Sequence, residues 1–232
     1  MGSVLETVAK AEKHPPPTPP VKMGGEKQGE GSRKARLAWS LLARYTGCMS
    51  EFSDHIDDKG AAFIAKQPVF FVATSAPDAR INLSPKGMDT FRVLGPNRVA
   101  YLDYGGSGNE TNAHLAADGR ITIMFCAFDS PALIYRLYGH GQAVLPQDDG
   151  WSGLAAHFTI ERGVRQIFDI TVDSTQGACG WAVPKMTLAA ERQTLRKFHA
   201  QEVPAERLEK YQTRDRSIDG LPVRPPTALP YS

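Results

Sequence analysis

The sequence has few cysteines and no long hydrophobic run, and each absence removes a class of protein. Its 232 residues contain only three cysteines, Cys48, Cys126 and Cys179. They are too few and too widely spaced for a disulfide scaffold or a zinc cluster. No run approaches the roughly 18 apolar residues that a membrane helix needs, which excludes an integral membrane protein. The N-terminus also lacks the apolar core of a signal peptide, so a reducing, cytoplasmic location is expected.

Basic charge is scarce outside the N-terminal segment. Residues 1–48 hold eight of the 27 lysines and arginines and four of the 25 acidic residues, which leaves 19 basic and 21 acidic groups in the rest. A nucleic-acid-binding body should be basic in its own right, so no nucleic-acid partner is expected. The sequence also contains no G-x-S-x-G, P-loop, H-E-x-x-H or paired C-x-x-C, and we therefore predict no metal site.

The composition is otherwise that of a globular protein, with 41% hydrophobic and 22% charged residues. Residues 1–48 form an exception, because they contain a proline run at 14–20 and a glycine-rich stretch at 24–31. This favours a disordered leader over a ligand for a proline-reading domain, with a possible short helix over Ser32–Tyr45. A folded domain over 49–222 and an extended tail over 223–232 are expected to follow.

Short strand patterns separated by turn signals dominate the folded part. The predicted strands are Val69–Thr74, Arg80–Ser84, Thr90–Leu94, Arg98–Asp103, Arg120–Phe128, Ala132–Leu145 and Val164–Asp173. The predicted helices are Ser53–Gln67, Asn109–Ala117, Gly150–Phe158, Met186–His199 and Ala205–Thr213. Arg120–Phe128 is apolar enough to be buried on both faces, and Gly139 and Gly141 indicate a bulge or bend. No βαβ alternation is present, so the pattern predicts an all-β barrel or sandwich with helices around it.

A glycine-rich loop, Gly105-Gly106-Ser107-Gly108, joins a predicted strand to a predicted helix. The N-terminus of a helix presents free N–H groups to an anion, and Asn109 and Thr111 add side-chain donors there. Gly119 provides a left-handed stop at the other end of the helix. Taken alone, the loop is more often an ordinary capped helix start than a phosphate site.

The segment Asn82-Leu83-Ser84-Pro85-Lys86-Gly87 strengthens the phosphate interpretation. Pro85 ends strand pairing and places Lys86 on an exposed turn. A lysine beside a helix N-terminus is a common way to hold a phosphate. The alternative is that Lys86 is a solvated turn residue.

Together these segments resemble the pyridoxamine 5'-phosphate oxidase-related FMN-binding proteins. The resemblance spans about residues 50–222. It is carried by 82–87, Phe91-Arg92-Val93-Leu94-Gly95-Pro96, Tyr101-Leu102-Asp103-Tyr104, Gly106-Ser107-Gly108-Asn109-Glu110-Thr111, His114-Leu115, 119–128, Arg136-Leu137-Tyr138-Gly139, 179–184 and 216–222. A series of such motifs in order is far more specific than any one of them.

The resemblance implies a mainly β, α+β fold: a six-stranded antiparallel split β-barrel with peripheral helices. It also implies a homodimer that holds one FMN at each of two sites in its interface. Backbone groups of two strands are expected to line the flavin, at Asn82, Leu83 and Ser84 and at Tyr101, Leu102 and Asp103. Lys86 and the loop containing Ser107, Asn109 and Thr111 are expected to take the phosphate. Arg136 is placed near the flavin ring, while Trp181 and Arg216 are candidates from the opposite protomer.

One departure from the true oxidases affects the expected substrate. Those enzymes carry a Ser-Arg-Lys run where this chain has Asn109-Glu110-Thr111. Neutral donors and a glutamate thus replace two cations, so we expect an FMN-dependent oxidoreductase whose small-molecule substrate is not pyridoxamine phosphate. A deazaflavin- or haem-binding relative and a non-catalytic flavin-binding dimer are the alternatives. No general base is identified, although His114 and His140 are candidates.

Overall fold

A computed structural model describes residues 50–231, which belong to one compact unit, Gly47–Ser232. The leader predicted over 1–48 lies outside these residues. The strands are β1 Glu51–Ser53, β2 Phe70–Thr74, β3 Asn82–Lys86, β4 Phe91–Gly95, β5 Arg98–Tyr104, β6 Arg120–Cys126, β7 Leu133–Val144 and β8 Val164–Cys179. The helices are α1 Asp58–Ile64, α2 Glu110–Ala117, α3 Trp151–Ala155, α4 Thr194–Ala200 and α5 Pro204–Thr213.

All eight strands form one antiparallel sheet in the order β3-β2-β6-β7-β8-β5-β4, with β1 added along β8. This confirms the mainly β, α+β fold with peripheral helices. The described residues contain eight strands rather than the six implied by the resemblance. The sequence patterns indicated seven of them, and they missed β1 because it is only three residues long and carries no alternating pattern. The last strand is also longer than predicted. It runs to Cys179 because its second half pairs with both β7 and β1.

The core lies on the inner face of the sheet and is rich in aromatic rings. Phe70 packs edge-on against Phe91 and Tyr101, at ring centroid distances of 5.0 and 5.6 Å. On β6, alternate residues such as Ile121 and Ile123 are buried while their neighbours are half-buried. The prediction that this strand is buried on both faces is therefore wrong, because its outward-facing residues Thr122 and Met124 are only half-buried.

The bulge predicted from Gly139 is present in the pairing of β7 with β8, but its extra residue, Asp173, belongs to β8, because Tyr138 pairs with Ser174 and Gly139 with Val172. The register with β8 shifts between Tyr138 and Gly139. A Cβ atom at position 139 would lie 2.0 Å from the carbonyl oxygen of Thr171, so only glycine allows this approach. Gly119 likewise adopts a left-handed conformation, with φ of 86°, where it ends α2.

Two predicted helices are much shorter in the structure. The helix expected over Ser53–Gln67 begins only at Asp58, with Asp57 capping the backbone N–H of Gly60 at 2.7 Å. The helix expected over Met186–His199 is reduced to α4, since 184–193 adopt no regular structure. These residues are almost all exposed, and helix propensity without a packed apolar face seldom sustains a helix. Within the described residues, no helix is both long and apolar enough to cross a membrane.

Candidate functional site

A polar cleft of about 270 Å³ lies where the glycine loop, the start of α2 and the ends of β3 and β5 meet. Its walls are Asn82, Ser84, Lys86, Asp103, Tyr104, Gly106, Ser107, Gly108, Asn109, Glu110, Thr111, Arg165 and Phe168. The structure therefore brings together seven of the predicted site residues from three separate segments.

Strand β3 contributes Asn82, Ser84 and Lys86 because these alternate positions share one face. They pair in register with three buried or inward-facing residues of β2, so their side chains point to the inner side of the sheet. Leu83 lies between them on the opposite face and is 64% exposed. Because β3 is an edge strand, its outer backbone groups have no partner strand among the described residues.

Asp103 is the electrostatic centre of the cleft. Its carboxylate is 2.8 Å from Nη2 of Arg165 and 3.4 Å from Nζ of Lys86, and it accepts a bond from Gln166 at 2.9 Å. Burial alone would raise the pKa of Asp103, but the charges of Arg165 and Lys86 together with these hydrogen bonds lower it below its usual range. Asp103 is therefore a carboxylate that holds two cations at the wall of the cleft.

The C-terminal part of the chain fixes the glycine loop from outside. The Arg214 guanidinium donates to the carbonyl of Ser107 at 2.7 Å. The ring of Tyr211 lies against Gly105 so closely that a Cβ there would be 1.7 Å from its hydroxyl oxygen. We call the segment 204–226, which makes these contacts, the C-terminal clamp.

The clamp also reaches the first turn of α2. Glu110 accepts from the backbone N–H of Ile218 at 3.2 Å, so its carboxylate is partly occupied. The Asn112 amide oxygen accepts from the backbone N–H of Arg224 at 3.1 Å. These bonds hold the helix start, whose free N–H groups border the cleft.

Hydroxyl and amide groups complete the inner wall. Thr111 accepts a bond from the Asn82 amide at 3.1 Å. Asn109 makes no side-chain cap bond, and its amide oxygen instead accepts from Gln166 at 2.7 Å. Asn112 donates to the same glutamine at 2.8 Å. The first turn of α2 is therefore tied to β3 on one side and to β8 on the other.

Six predicted site residues do not line this cleft: Leu83, which lies on the opposite face of β3, and five others. Tyr101 is fully buried, and burial raises its pKa well above the usual range. Leu102 points into a second hydrophobic cluster, and its backbone N–H donates to Thr90 at 2.8 Å. In this protomer neither residue offers its side chain to a ligand in the cleft, because both side chains are buried in the hydrophobic core. The backbone groups of β5 are also engaged, since this strand is paired on both sides.

The other three lie elsewhere. Arg136 is half-buried on the outer face of β7, opposite Met124 and Gln176. Trp181 is 71% exposed. Arg216 borders a neighbouring cavity of about 310 Å³ that shares the glycine loop as a wall. A role for any of them at a cofactor stays a prediction that depends on a second protomer.

Arg165 and Gln166 are the functional candidates that motif reasoning missed. Arg165 is 92% buried as a side chain and also donates to the carbonyl of Gly108 at 3.0 Å. It therefore supplies a cation close to the position where Asn109-Glu110-Thr111 replaces a cationic run. One sequence signal could have identified them: a polar pair, arginine followed by glutamine, stands inside the apolar strand β8. Buried polar side chains need hydrogen-bond or ion-pair partners, so such a pair indicates a polar site nearby.

The two histidine candidates have different surroundings. His114 is 1% exposed, and its Nδ1 lies 3.1 Å from the hydroxyl of Thr74. His140 is exposed and pairs with Asp173 at 2.7 Å, on the far side of the sheet from the cleft walls. The structure thus brings His114, but not His140, close to the site.

The single antiparallel sheet, its open edge at β3 and the helices around it define a split-barrel architecture. The family model for pyridoxamine 5'-phosphate oxidase matches residues 56–179, more than half of the chain. The chain belongs to the pyridoxamine 5'-phosphate oxidase family and has its split-barrel fold.

One curated relative supports this assignment, and several solved structures are more distantly similar. The chain is 34% identical over 193 residues to the pyridoxamine 5'-phosphate oxidase family protein ustO of Aspergillus flavus, covering 75% of this chain and 78% of that protein. Among solved structures, a HupZ variant of Group A Streptococcus is 18% identical with a TM-score of 0.43, covering 53% of this chain and 98% of that one. An FMN-binding protein of Syntrophomonas wolfei is 14% identical with a TM-score of 0.40, covering 63% and 96%.

Proposed function

We propose that the protein is an FMN-dependent oxidoreductase that acts as a homodimer on a small molecule other than pyridoxamine phosphate. The observation that carries the proposal is the cleft itself. It combines Lys86, two hydroxyl groups and the N-terminus of α2, in a family one of whose structural relatives is an FMN-binding protein. These are the groups that hold a phosphate ester at a helix start.

The donor set fits a phosphate, with one constraint. Lys86 is 27% exposed and reaches Asp103 at 3.4 Å, a weak contact that an incoming phosphate can replace. Arg165 is held by Asp103 and by the loop carbonyl of Gly108, so it stays in place behind the loop. Since Asp103 and Glu110 balance these two cations, we expect weaker phosphate binding than in a site with unbalanced cations.

The roles of this chain's residues follow from their positions. Lys86 binds the phosphate, and Ser107 and Thr111 donate hydroxyl protons to it. Asn82 and Ser84, with the free backbone edge of β3, orient the polar edge of the flavin. When bound, FMN supplies hydride transfer, and the protein contributes orientation and electrostatics. No described side chain at the cleft is assigned as a general base.

The outer face of the sheet supports a homodimer. Leu83 and Phe52 are 64% and 65% exposed, and Ile81, which leads into β3, is 79% exposed. Large apolar side chains that a monomer leaves exposed favour association. A second copy on this face would bring its own residues towards β3 and Arg136. Light scattering should give twice the chain mass for the wild type and a lower mass for Leu83→Asp.

Titration of apo-protein with FMN tests the function. Lys86→Ala and Thr111→Ala should each weaken binding by roughly ten- to a hundredfold, the equivalent of one charge-assisted contact of about 1.5–3 kcal/mol. Lys66→Ala is the matched control, since this exposed lysine lies outside the cleft. Unchanged affinity in both variants would reject this phosphate site. If the purified protein has no flavin absorption spectrum and does not bind added FMN, the proposal of an FMN-dependent oxidoreductase is rejected.

A further inference from the structure

A line of hydrogen bonds connects the cleft to a buried histidine that the proposed function does not use. The Asn82 amide nitrogen lies 3.1 Å from the Thr111 hydroxyl and 3.3 Å from the Thr74 hydroxyl. The Thr74 hydroxyl in turn lies 3.1 Å from Nδ1 of His114. Thr74 and His114 are 3% and 1% exposed, so solvent does not compete for these bonds.

The chemistry of these groups fixes the direction of each bond. An amide nitrogen has only protons to give, so Asn82 donates to both threonines. The Thr74 oxygen accepts from Asn82, and among the described residues Nδ1 of His114 is the one acceptor in hydrogen-bond contact with this buried hydroxyl, so the hydroxyl proton goes to Nδ1. This makes Nδ1 an acceptor and places the imidazole proton on Nε2.

The other nitrogen of the ring does not decide the tautomer. Nε2 of His114 has no hydrogen-bond partner among the described residues, whichever nitrogen carries the proton. The bond at Nδ1 therefore distinguishes the two tautomers. With the proton on Nδ1, His114 would donate to Thr74, and Thr74 would donate onward to the amide oxygen of Asn82. The side-chain amide of Asn82 would then be flipped by 180°, with its oxygen and nitrogen exchanged.

The two arrangements present different groups to the cleft. In the structure, the Asn82 amide oxygen faces Ser84, whose hydroxyl donates to it at 3.3 Å. In the turned arrangement the NH₂ group would face that side. We propose that His114 is a positioning residue: through Thr74 it sets which end of the Asn82 amide faces the cleft, and so whether this position accepts or donates a hydrogen bond.

The tautomer is tested in the full-length protein without ligand. Long-range ¹H–¹⁵N spectra of ¹⁵N-labelled protein report which ring nitrogen carries the proton, and the signal that His114→Gln removes identifies the residue. We expect protonation on Nε2 at neutral pH. A proton on Nδ1, or a doubly protonated ring, would overturn the proposal.

The coupling is tested with a matched pair at position 74. Thr74→Val keeps the shape but removes the hydroxyl, whereas Thr74→Ser keeps the hydroxyl. The side-chain NH₂ signals of Asn82 should shift in the valine variant and stay in place in the serine variant. Equal spectra for the two variants would overturn the proposal, and this readout does not depend on FMN.

The consequence for the ligand rests on the proposed function. FMN affinity should fall about three- to tenfold in Thr74→Val, as for the loss of one neutral hydrogen bond, and should be restored in Thr74→Ser. Equal affinity in the valine variant and the wild type would refute the effect on the cleft. If the wild type binds no FMN, the proposed function fails, while the spectra still decide the role of His114.

Discussion

Replacing Gly105 with alanine should disrupt the glycine loop, and the size of the effect follows from the contact with Tyr211. The new Cβ would lie 1.7 Å from the tyrosine oxygen and 2.4 Å from Cζ. Ordinary contact distances begin near 3.5 Å, so the ring would have to retreat by about 1.8 Å. Tyr211 is 4% exposed, and the guanidinium groups of Arg165 and Arg207 lie 5.6 and 5.1 Å from its ring centre.

The ring therefore cannot move without losing these contacts. Overpacking of this kind costs roughly 1–3 kcal/mol. For a domain of this size each kcal/mol lowers the melting temperature by about 2–4 °C, which predicts a fall of roughly 2–12 °C. Because the displaced loop borders the cleft, FMN affinity should fall as well. Thermal unfolding followed by circular dichroism and an FMN titration measure the two effects.

Gly106→Ala is the matched control one residue further along the chain. A Cβ there would meet no atom within 4 Å, and the backbone is outside the left-handed region. Its free energy of unfolding should stay within about 0.5 kcal/mol of the wild-type value. The reasoning is refuted if Gly105→Ala behaves like Gly106→Ala. In a Tyr211→Ala background, Gly105→Ala should cost much less than it does alone, because the two side chains are in contact.

Three further outcomes are expected. Glu110→Gln should tighten FMN binding several-fold, because it removes a negative charge beside the phosphate yet keeps an oxygen for Ile218; looser binding in the titration would contradict this. Asp103→Asn should destabilise the fold by about 3–5 kcal/mol at pH 7, because Arg165 loses its buried partner. The folded-state pKa of Asp103 is lowered, so its contribution is present above the unfolded value near 4 and is lost as the pH falls through the folded value. Denaturant melts between pH 7 and 2 should therefore show a shallower acid loss in the variant. Removing residues 1–48 should leave a folded dimer. Light scattering measures its mass, and a monomer or an aggregate would contradict this expectation.

The sequence predicted the site best where a local pattern determines the geometry. Alternation along β3 places Asn82, Ser84 and Lys86 on one face, and the loop from Gly105 leads directly into a helix start. Periodicity and glycine placement predicted the positions of Asn82 and Ser84 and the start of the helix. The expectation that Pro85 ends the strand and leaves Lys86 on an exposed turn is wrong, because β3 continues through Pro85 to Lys86, which pairs with Phe70.

The sequence was less informative where distant segments meet. Arg165 enters the cleft from β8, 62 residues after Asp103, and only the strand register brings them together. The C-terminal clamp reaches the loop across more than 100 residues, as the Arg214 bond to Ser107 illustrates. No local pattern encodes such contacts, and the exposed stretch 184–193 shows that helix propensity misleads where no surface is available for packing.

The clamp has a consequence for the order of events during protein synthesis. The glycine loop leaves the ribosome about a hundred residues before the segment that fixes it. Contacts of such high sequence separation form late, because the entropy of closing the intervening loop must be overcome first. The sheet can be assembled as soon as β8 is complete, but the cleft is finished only after the C-terminal clamp has emerged. Nascent chains stalled before Pro204 should therefore contain a folded sheet that does not yet retain flavin.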